Sequence, residues 1–181
     1  GVDCDLTSLA SARRASAELL AIVNGRSSDG QGRIDVLALN AGIMAAPFEA
    51  TEDGYDVQAQ TNVLSHFLLT TLLAPALERA KEARVISQSS LAAKQAWWLR
   101  QETFEKAPMC WKPFSWFFAR NAWAVYAQTK LANLAFTEGL RRRLDAAGVK
   151  HIKAIACHPG VAATELQVRT GENPGPLGAL V

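Results

Sequence analysis

Short apolar runs alternate with longer stretches of helical periodicity along most of this chain. Residues 2–6, 34–39, 85–86 and 151–157 are predicted to be strands or strand ends. The run at 34–39 is apolar apart from Asp35, a pattern typical of a strand buried on both faces of a parallel sheet.

Helical patterns separate these strands. One predicted helix begins at a cap formed by Thr7 or Ser8 and ends near residue 25. A second runs from a helix-start signal at residues 51–54 to about residue 80. A third contains residues 121–143 and has Gly148 as its C-terminal cap.

Strands and helices in this order predict right-handed βαβ units. We therefore expect residues 1–181 to form a single α/β domain, part of a Rossmann-type, doubly wound parallel sheet in a three-layer αβα arrangement. In such sheets the functional residues lie at the carboxyl ends of the strands. The polar and turn residues at those ends are Asp5, Asn40, Ser90, Pro159 and Gly160.

The third helix carries a tyrosine and a lysine four residues apart, Tyr126 and Lys130. Four residues is just over one helical turn, so both side chains project from the same face. An ammonium beside a phenol lowers the tyrosine pKa, and such a tyrosine can exchange a proton with a substrate oxygen. Taken alone, the pair also fits a surface lysine one turn beyond a packed tyrosine.

Six short motifs follow one another along the chain. They are Asp5-Leu6, Asn40-Ala41-Gly42, Asn62, Ser89-Ser90, Tyr126-x-x-x-Lys130 and Pro159-Gly160-x-x-x-Thr164. In this order they resemble the motifs of the short-chain dehydrogenase/reductase family, in particular the branch of retinol dehydrogenases, WW-domain oxidoreductase and protochlorophyllide reductase. The resemblance covers nearly the whole chain except an aromatic insert at about 94–123 and the tail.

The resemblance implies a catalytic set of Asn62, Ser90, Tyr126 and Lys130. Tyr126 would be the general acid in carbonyl reduction and the base in alcohol oxidation, while Lys130 would lower its pKa and bind the nicotinamide ribose. Ser90 would donate a hydrogen bond to the substrate oxygen, where charge develops. Asn62 would hold a water molecule that links Lys130 to solvent.

The resemblance also implies a cofactor, NADP or NAD with NADP favoured, and no metal. The first motif resembles the aspartate that binds the adenine amino group, the second a turn on the adenosine side, and the last the segment that holds the nicotinamide and its phosphate. The implied cofactor-binding residues are Asp5, Leu6, Asn40, Ala41, Gly42, Tyr126, Lys130, Pro159, Gly160 and Thr164.

Each motif also has a purely structural explanation. Asp5 and Thr164 are suited to capping helices, and residues 40–42 to an ordinary turn after a strand. Asn62 taken alone would be a buried amide with satisfied hydrogen bonds.

The sequence contains no Gly-x-x-x-Gly-x-Gly turn, with which the family binds the cofactor's pyrophosphate. We therefore expect a partial sequence in which the first strands, the last strand and part of the substrate region are missing. The strand at 34–39 would then be an unpaired apolar edge. Residues 1–181 expressed alone are expected to aggregate or fold poorly.

The aromatic insert separates Ser90 from Tyr126 by 36 positions and contains all five tryptophans. We interpret it as a lid or wall for a bulky lipophilic substrate, because aromatic side chains offer a large apolar contact area. Two alternatives are a patch at a membrane interface, with basic residues near the headgroups, and local packing or an oligomer contact.

Composition narrows the class of protein. The chain is 49% hydrophobic, enough for the core of one domain, and its net charge of +2 gives no reason to expect nucleic-acid binding. Its three cysteines are widely spaced, which suits a reducing intracellular compartment and matches no metal-binding spacing. His66 and His158 are interpreted as structural, since no serine or cysteine nucleophile pairs with them recognisably.

Together these features predict an intracellular oxidoreductase, cytoplasmic or peripheral to a membrane, that interconverts an alcohol and a carbonyl on a lipophilic small molecule. The resemblance implies a homodimer formed through the helices after the fourth and fifth strands. The competing interpretation is a catalytically silent nucleotide-binding regulator or scaffold on the same fold. A helical interaction module built on the tryptophan-rich segment would leave the flanking motifs unexplained.

Overall fold

The computed structural model describes residues 1–106 and 122–160; Thr164 and residues 107–121 of the insert lie outside the described residues. The helices and strands are, in chain order, α1 (Leu9–Gly25), β1 (Val36–Leu39), α2 (Val57–Ala59), a π-helical turn (Gln60–Leu64), α3 (Ser65–Glu78), β2 (Ala83–Gln88), two 3-10 helices (Leu91–Gln95 and Gln101–Phe104), α4 (Ala122–Ala146) and β3 (Ile152–Cys157).

The three strands form one parallel sheet in the order β1-β2-β3. Leu39 lies opposite Ser87, and Ser87 lies opposite Ala156. Because parallel crossovers are right-handed and the sheet grows in one direction, α3 and α4 lie on the same face. The parallel α/β architecture predicted from the sequence is confirmed.

Side chains of the sheet alternate between a covered and an uncovered face. Leu39 and Val85 point to the covered face and are 2% exposed, whereas Val36 is 51% and Ile155 is 38% exposed. The prediction that the strand at 34–39 is buried on both faces is therefore wrong for the described residues. The helices α3 and α4 cover only one face of this sheet, and the period-2 alternation of strands leaves every second side chain on the other.

The core lies between the covered face and these two helices. Leu39, Leu77, Val85 and Ile152 are buried in one cluster, and α4 packs Phe136 against it. This apolar contact fixes the position of α4 relative to β2, so that the N-terminal half of α4 lies near the carboxyl ends of the strands.

Two helix starts differ in how well the sequence predicted them. The α1 helix is capped by Ser8, one of the two predicted residues, whose hydroxyl accepts from the Ser11 N–H at 3.2 Å. The second helix begins at Val57 rather than at residues 51–54, because the buried Asp56 caps it by accepting from two main-chain N–H groups. Residues 51–54 form a turn instead, closed by a hydrogen bond from the Gly54 N–H to the Thr51 carbonyl at 2.9 Å.

Two further sequence predictions concern the first strand and the end of α4. Residues 2–6, predicted to end a strand, are not part of the described sheet. The predicted cap of α4 is confirmed: Gly148 has a φ of +70°, and its N–H donates to the Asp145 carbonyl at 3.0 Å.

Gly32 fixes the loop between α1 and β1. Its N–H donates to the Asn24 side-chain oxygen at 2.8 Å, and its carbonyl accepts from Arg79 Nε at 2.9 Å. A Cβ at this position would lie 2.2 Å from the Val23 carbonyl carbon, so the loop can approach α1 this closely only with glycine.

We therefore expect Gly32→Ala to lower the free energy of unfolding of the protein that contains this chain by about 1–3 kcal/mol. Gly25→Ala is the matched control, because an added Cβ there meets nothing within 4 Å. It should be neutral, or stabilising by up to about 1 kcal/mol. Denaturant unfolding measures both variants, and equal effects would contradict the assigned role of Gly32.

Candidate active site

Ser90 lies in the candidate site, just after the carboxyl end of β2. Ser90 has an extended backbone and caps the following 3-10 helix, with its hydroxyl oxygen accepting from the Ala92 N–H at 3.2 Å. Its side chain is also near enough to Tyr126 to lower the pKa of the tyrosine. Two of the predicted catalytic residues are therefore brought together.

Tyr126 lies on α4 and is 4% exposed, with the Trp123 ring edge-on to it at a centroid distance of 5.9 Å. Burial raises its pKa above the ordinary value, and the nearby Ser90 side chain opposes this rise. The prediction that Lys130 lowers the pKa of Tyr126 is not met here. The Lys130 nitrogen lies 5.5 Å from the ring centroid, and the loss of solvation is the dominant influence.

Lys130 is 4% exposed, and burial lowers its pKa to about 8. Its ammonium donates to the main-chain carbonyl of Gln88 at 3.0 Å, which satisfies one of its three N–H groups. Nearby His66 is also buried; its burial and the charge of Lys130 lower its pKa to about 4. His66 is therefore neutral at physiological pH and adds no charge to the site.

Asn62 is fully buried in the π-helical turn. Single π-helical turns within helices are often found at functional sites. The side-chain amide accepts from the Ile43 N–H at 2.8 Å and donates to the Ile43 carbonyl at 2.9 Å. It also donates to the Thr129 hydroxyl at 3.0 Å. Asn62 therefore joins the turn after β1 to α4, as well as being the residue predicted to hold a water molecule.

Gly42 brings that turn close to the other site residues. A Cβ at Gly42 would lie 3.0 Å from Asn62 Oδ1 and 3.4 Å from Lys130 Nζ. The neighbouring Asn40 and Ala41 are exposed at the edge of the sheet. Because Gly42 has no side chain, the Asn62 amide and the Lys130 ammonium are not covered at this exposed turn. This arrangement fits the close approach of a polar cofactor.

Asp5 and Leu6 have other contacts. The exposed Asp5 carboxylate accepts from the Thr7 N–H at 2.8 Å and from its hydroxyl at 2.7 Å, and these bonds lower its pKa. These bonds place Asp5 at the entry to α1, close to the helix-capping role that is the structural alternative for this residue. The carboxylate remains accessible. The Leu6 carbonyl accepts from the buried Ser65 hydroxyl at 2.7 Å, which ties this segment to the start of α3.

Pro159 and Gly160 follow β3 at the same edge of the sheet as Ser90 and are exposed. Gly160 has a φ of +74°, and its N–H donates to His158 Nδ1 at 3.1 Å. The histidine thus stabilises the turn, in agreement with its predicted structural role.

Sequence reasoning missed two polar residues of the site. The buried Ser89, set aside in favour of Ser90, donates its hydroxyl to the Lys130 carbonyl at 2.8 Å. The buried Asn133 donates its amide to the Gln88 carbonyl at 3.0 Å. The sequence could have indicated Asn133, because it is three residues after Lys130 and residues three and four apart share a helix face.

The aromatic insert divides into two environments. Trp123 is part of α4, is 9% exposed and packs beside Tyr126. It therefore belongs to the core of the site and not to a surface lid. Trp97 and Trp98 are 91% and 63% exposed. The Gln128 side chain donates to the Trp98 carbonyl at 3.0 Å and accepts from the Arg100 N–H at 2.8 Å, which holds this segment against α4.

Two features are absent from the described part of the chain. In residues 1–106 and 122–160, no helix is long and apolar enough to cross a membrane. The same residues contain no group of three or more His, Cys, Asp or Glu side chains placed to hold a metal ion.

The geometry agrees with comparisons to known proteins. The family described as short chain dehydrogenase matches residues 1–101. Human retinol dehydrogenase 13 is 38% identical over 167 residues, which cover 92% of this chain and 44% of the relative. A solved structure of an uncharacterized protein from Mycobacterium paratuberculosis is 40% identical, with a TM-score of 0.66, and the match covers 90% of this chain and 51% of that one.

A second solved structure, a blue fluorescent protein from a metagenomic library in complex with NADPH, is 27% identical with a TM-score of 0.61. That match covers 98% of this chain and 59% of the other. The chain thus spans about half the length of the relatives it matches. The family match, which covers more than half of the chain, shows that this chain belongs to the short-chain dehydrogenase family and is similar to its retinol dehydrogenases.

Proposed function

We propose that residues 1–181 are part of the single dinucleotide-binding domain of an NAD(P)-dependent oxidoreductase that interconverts an alcohol and a carbonyl. One observation carries this proposal: Tyr126 has the Ser90 side chain near enough to lower its pKa and the Lys130 nitrogen over its ring at 5.5 Å. A hydroxyl pair beside a buried ammonium is suited to binding one substrate oxygen and exchanging a proton with it.

The roles follow from the chemistry of each side chain. Ser90 donates a hydrogen bond to the substrate oxygen, and Tyr126 gives that oxygen a proton in reduction or removes it in oxidation. Lys130 supplies a positive charge that stabilises the phenolate left after proton transfer. Asn62 holds the turn at Ile43 in place and binds a water molecule on the path from Lys130 to solvent.

A nicotinamide dinucleotide, when bound, supplies or accepts the hydride. The residues proposed to hold it are those at the strand ends: Asp5 and Leu6, the turn at Asn40, Ala41 and Gly42, the pair Tyr126 and Lys130, and the segment Pro159, Gly160 and Thr164. The space beside Gly42 and the two remaining N–H groups of Lys130 support this assignment. NADP is proposed over NAD, in line with the NADPH complex of the similar blue fluorescent protein.

We further propose a lipophilic substrate and an intracellular homodimer. The names of the similar retinol dehydrogenases and the exposed Trp97 and Trp98 support the first proposal. For the second, Phe67 on α3 and Leu134 on α4 are 50% and 40% exposed, and an apolar surface on these two helices suits a second copy of the chain. Peripheral contact with a membrane is the alternative use of the tryptophans.

Tyr126→Phe tests the enzyme proposal in the protein that contains this chain. It removes the phenolic hydroxyl, which exchanges the proton, and keeps the ring, so kcat should fall about 100- to 10,000-fold. The dinucleotide Kd should change less than about threefold, because the ring that packs against Trp123 is retained. Tyr55→Phe is the matched control, since Tyr55 is the chain's second tyrosine and is not part of the proposed site; it should keep full turnover. A scaffold would lose nothing in either variant.

The pKa shifts predict a pH dependence of carbonyl reduction. Burial raises the pKa of Tyr126, which keeps the phenol protonated, whereas Lys130 loses its charge as the pH rises through about 8. The value of kcat/KM, which reports groups of the free enzyme, should therefore fall above about pH 8.

In Lys130→Arg, the guanidinium stays protonated, so the alkaline fall should move upward by at least about one pH unit. The exposed Lys94→Arg serves as the control and should leave the profile unchanged. An identical alkaline fall in wild type and Lys130→Arg would show that another group controls it.

A double substitution of Trp97 and Trp98 by alanine tests the substrate wall. It should raise KM for a long-chain aldehyde about tenfold or more, since each indole contributes a large apolar contact area, and change KM for a short-chain aldehyde by less than about twofold. Equal changes for both aldehydes would contradict the wall. Loss of binding to phospholipid vesicles with unchanged KM values would support the membrane alternative instead.

A further inference from the structure

The Gln88 carbonyl occupies a special position at the end of β2. Leu39, the last residue of β1, pairs with Ser87, so Gln88 lies one residue beyond the β1–β2 pairing. Its carbonyl accepts two hydrogen bonds from α4 instead, one from Lys130 Nζ and one from Asn133 Nδ2, each at 3.0 Å. A carbonyl oxygen has two lone pairs, so these two donors use its full capacity.

Both donors come from one face of α4. Residues 130 and 133 are three apart and project side by side. Asn133 is 2% exposed, so its amide has little access to solvent and depends on the Gln88 carbonyl as a partner. In the reverse direction, the Ser89 hydroxyl donates to the Lys130 carbonyl at 2.8 Å. Three hydrogen bonds therefore join residues 88 and 89 to the turn of α4 that carries Lys130.

We propose that Asn133 is a positioning residue for Lys130. By donating a second hydrogen bond to the Gln88 carbonyl, it fixes the position of the acceptor that orients Lys130 over the Tyr126 ring. The proposal rests on the function proposed above, in which Lys130 acts on Tyr126 and the cofactor. Displacements of about 1 Å at such groups are costly in rate.

The alternative role for Asn133 is simply to attach α4 to the sheet. The two roles differ in one respect: a residue that acts through Lys130 loses its effect when Lys130 is removed, whereas a structural attachment keeps it. A double-mutant cycle measures this difference.

We expect Asn133→Leu, which has a similar volume and no donor, to lower kcat/KM about tenfold in the wild-type background. In the Lys130→Met background the same substitution should lower kcat/KM less than about twofold. The cycle is repeated with the dinucleotide Kd, which remains measurable if Lys130→Met is too slow to assay. Asn133→Ala replaces the leucine variant if melting shows that the latter does not fold.

Gln58→Met is the matched control. The Gln58 amide is also fully buried and anchors the same helix, donating to the Ala122 carbonyl at 3.0 Å, but it has no hydrogen bond to Gln88 or Lys130. Its effect on kcat/KM should therefore be the same in both backgrounds. Equal losses from Asn133→Leu in both backgrounds, or no loss in either, would overturn the positioning role. A wild-type protein without any turnover would instead overturn the proposed function.

Discussion

A buried ammonium is costly unless it is hydrogen-bonded, and the site of this protein is arranged around that requirement. Lys130 meets it by donating to the Gln88 carbonyl, a group that becomes available because β1 ends one residue earlier. The bond joins the helix that carries Tyr126 to the strand that precedes Ser90. The apolar contacts of Phe136 and its neighbours bring α4 onto the sheet, but they are non-directional. The polar bond sets the register between helix and strand.

The side-chain amide of Asn62 joins the turn after β1 to the same helix by hydrogen bonds. Asn62 contacts both main-chain groups of Ile43 and the hydroxyl of Thr129, which in turn donates to the Tyr126 carbonyl at 2.7 Å. A path of hydrogen bonds therefore runs from the turn at Gly42 to the main chain of Tyr126. Because Asn62 and Thr129 are fully buried, breaking their hydrogen bonds would leave unsatisfied polar groups, and the turn and helix are expected to hold one arrangement.

Much of the fold and part of the site could be predicted from the sequence because they depend on local patterns. Hydrophobic periodicity located the helices and strands, and the spacing of Tyr126 and Lys130 placed both on one face. The start of the second helix was missed because Asp56, rather than the threonine at 51, provides the cap. The pKa of Tyr126 was mispredicted because burial is a tertiary property. Asn133 and Ser89 were missed because their partners are more than 40 positions away.

The contact between Gln128 and the aromatic segment has a consequence for how the protein can vary. Among the described residues, the glutamine side chain has its hydrogen bonds with main-chain atoms of residues 98 and 100, so the attachment of the segment does not depend on which side chains it carries. Substitutions at 97–100 can therefore change the chemistry of this surface while the segment stays attached to α4. The surface formed by residues 97–100 can then vary without any change to the hydrogen bonds that hold Lys130, although both are attached to α4.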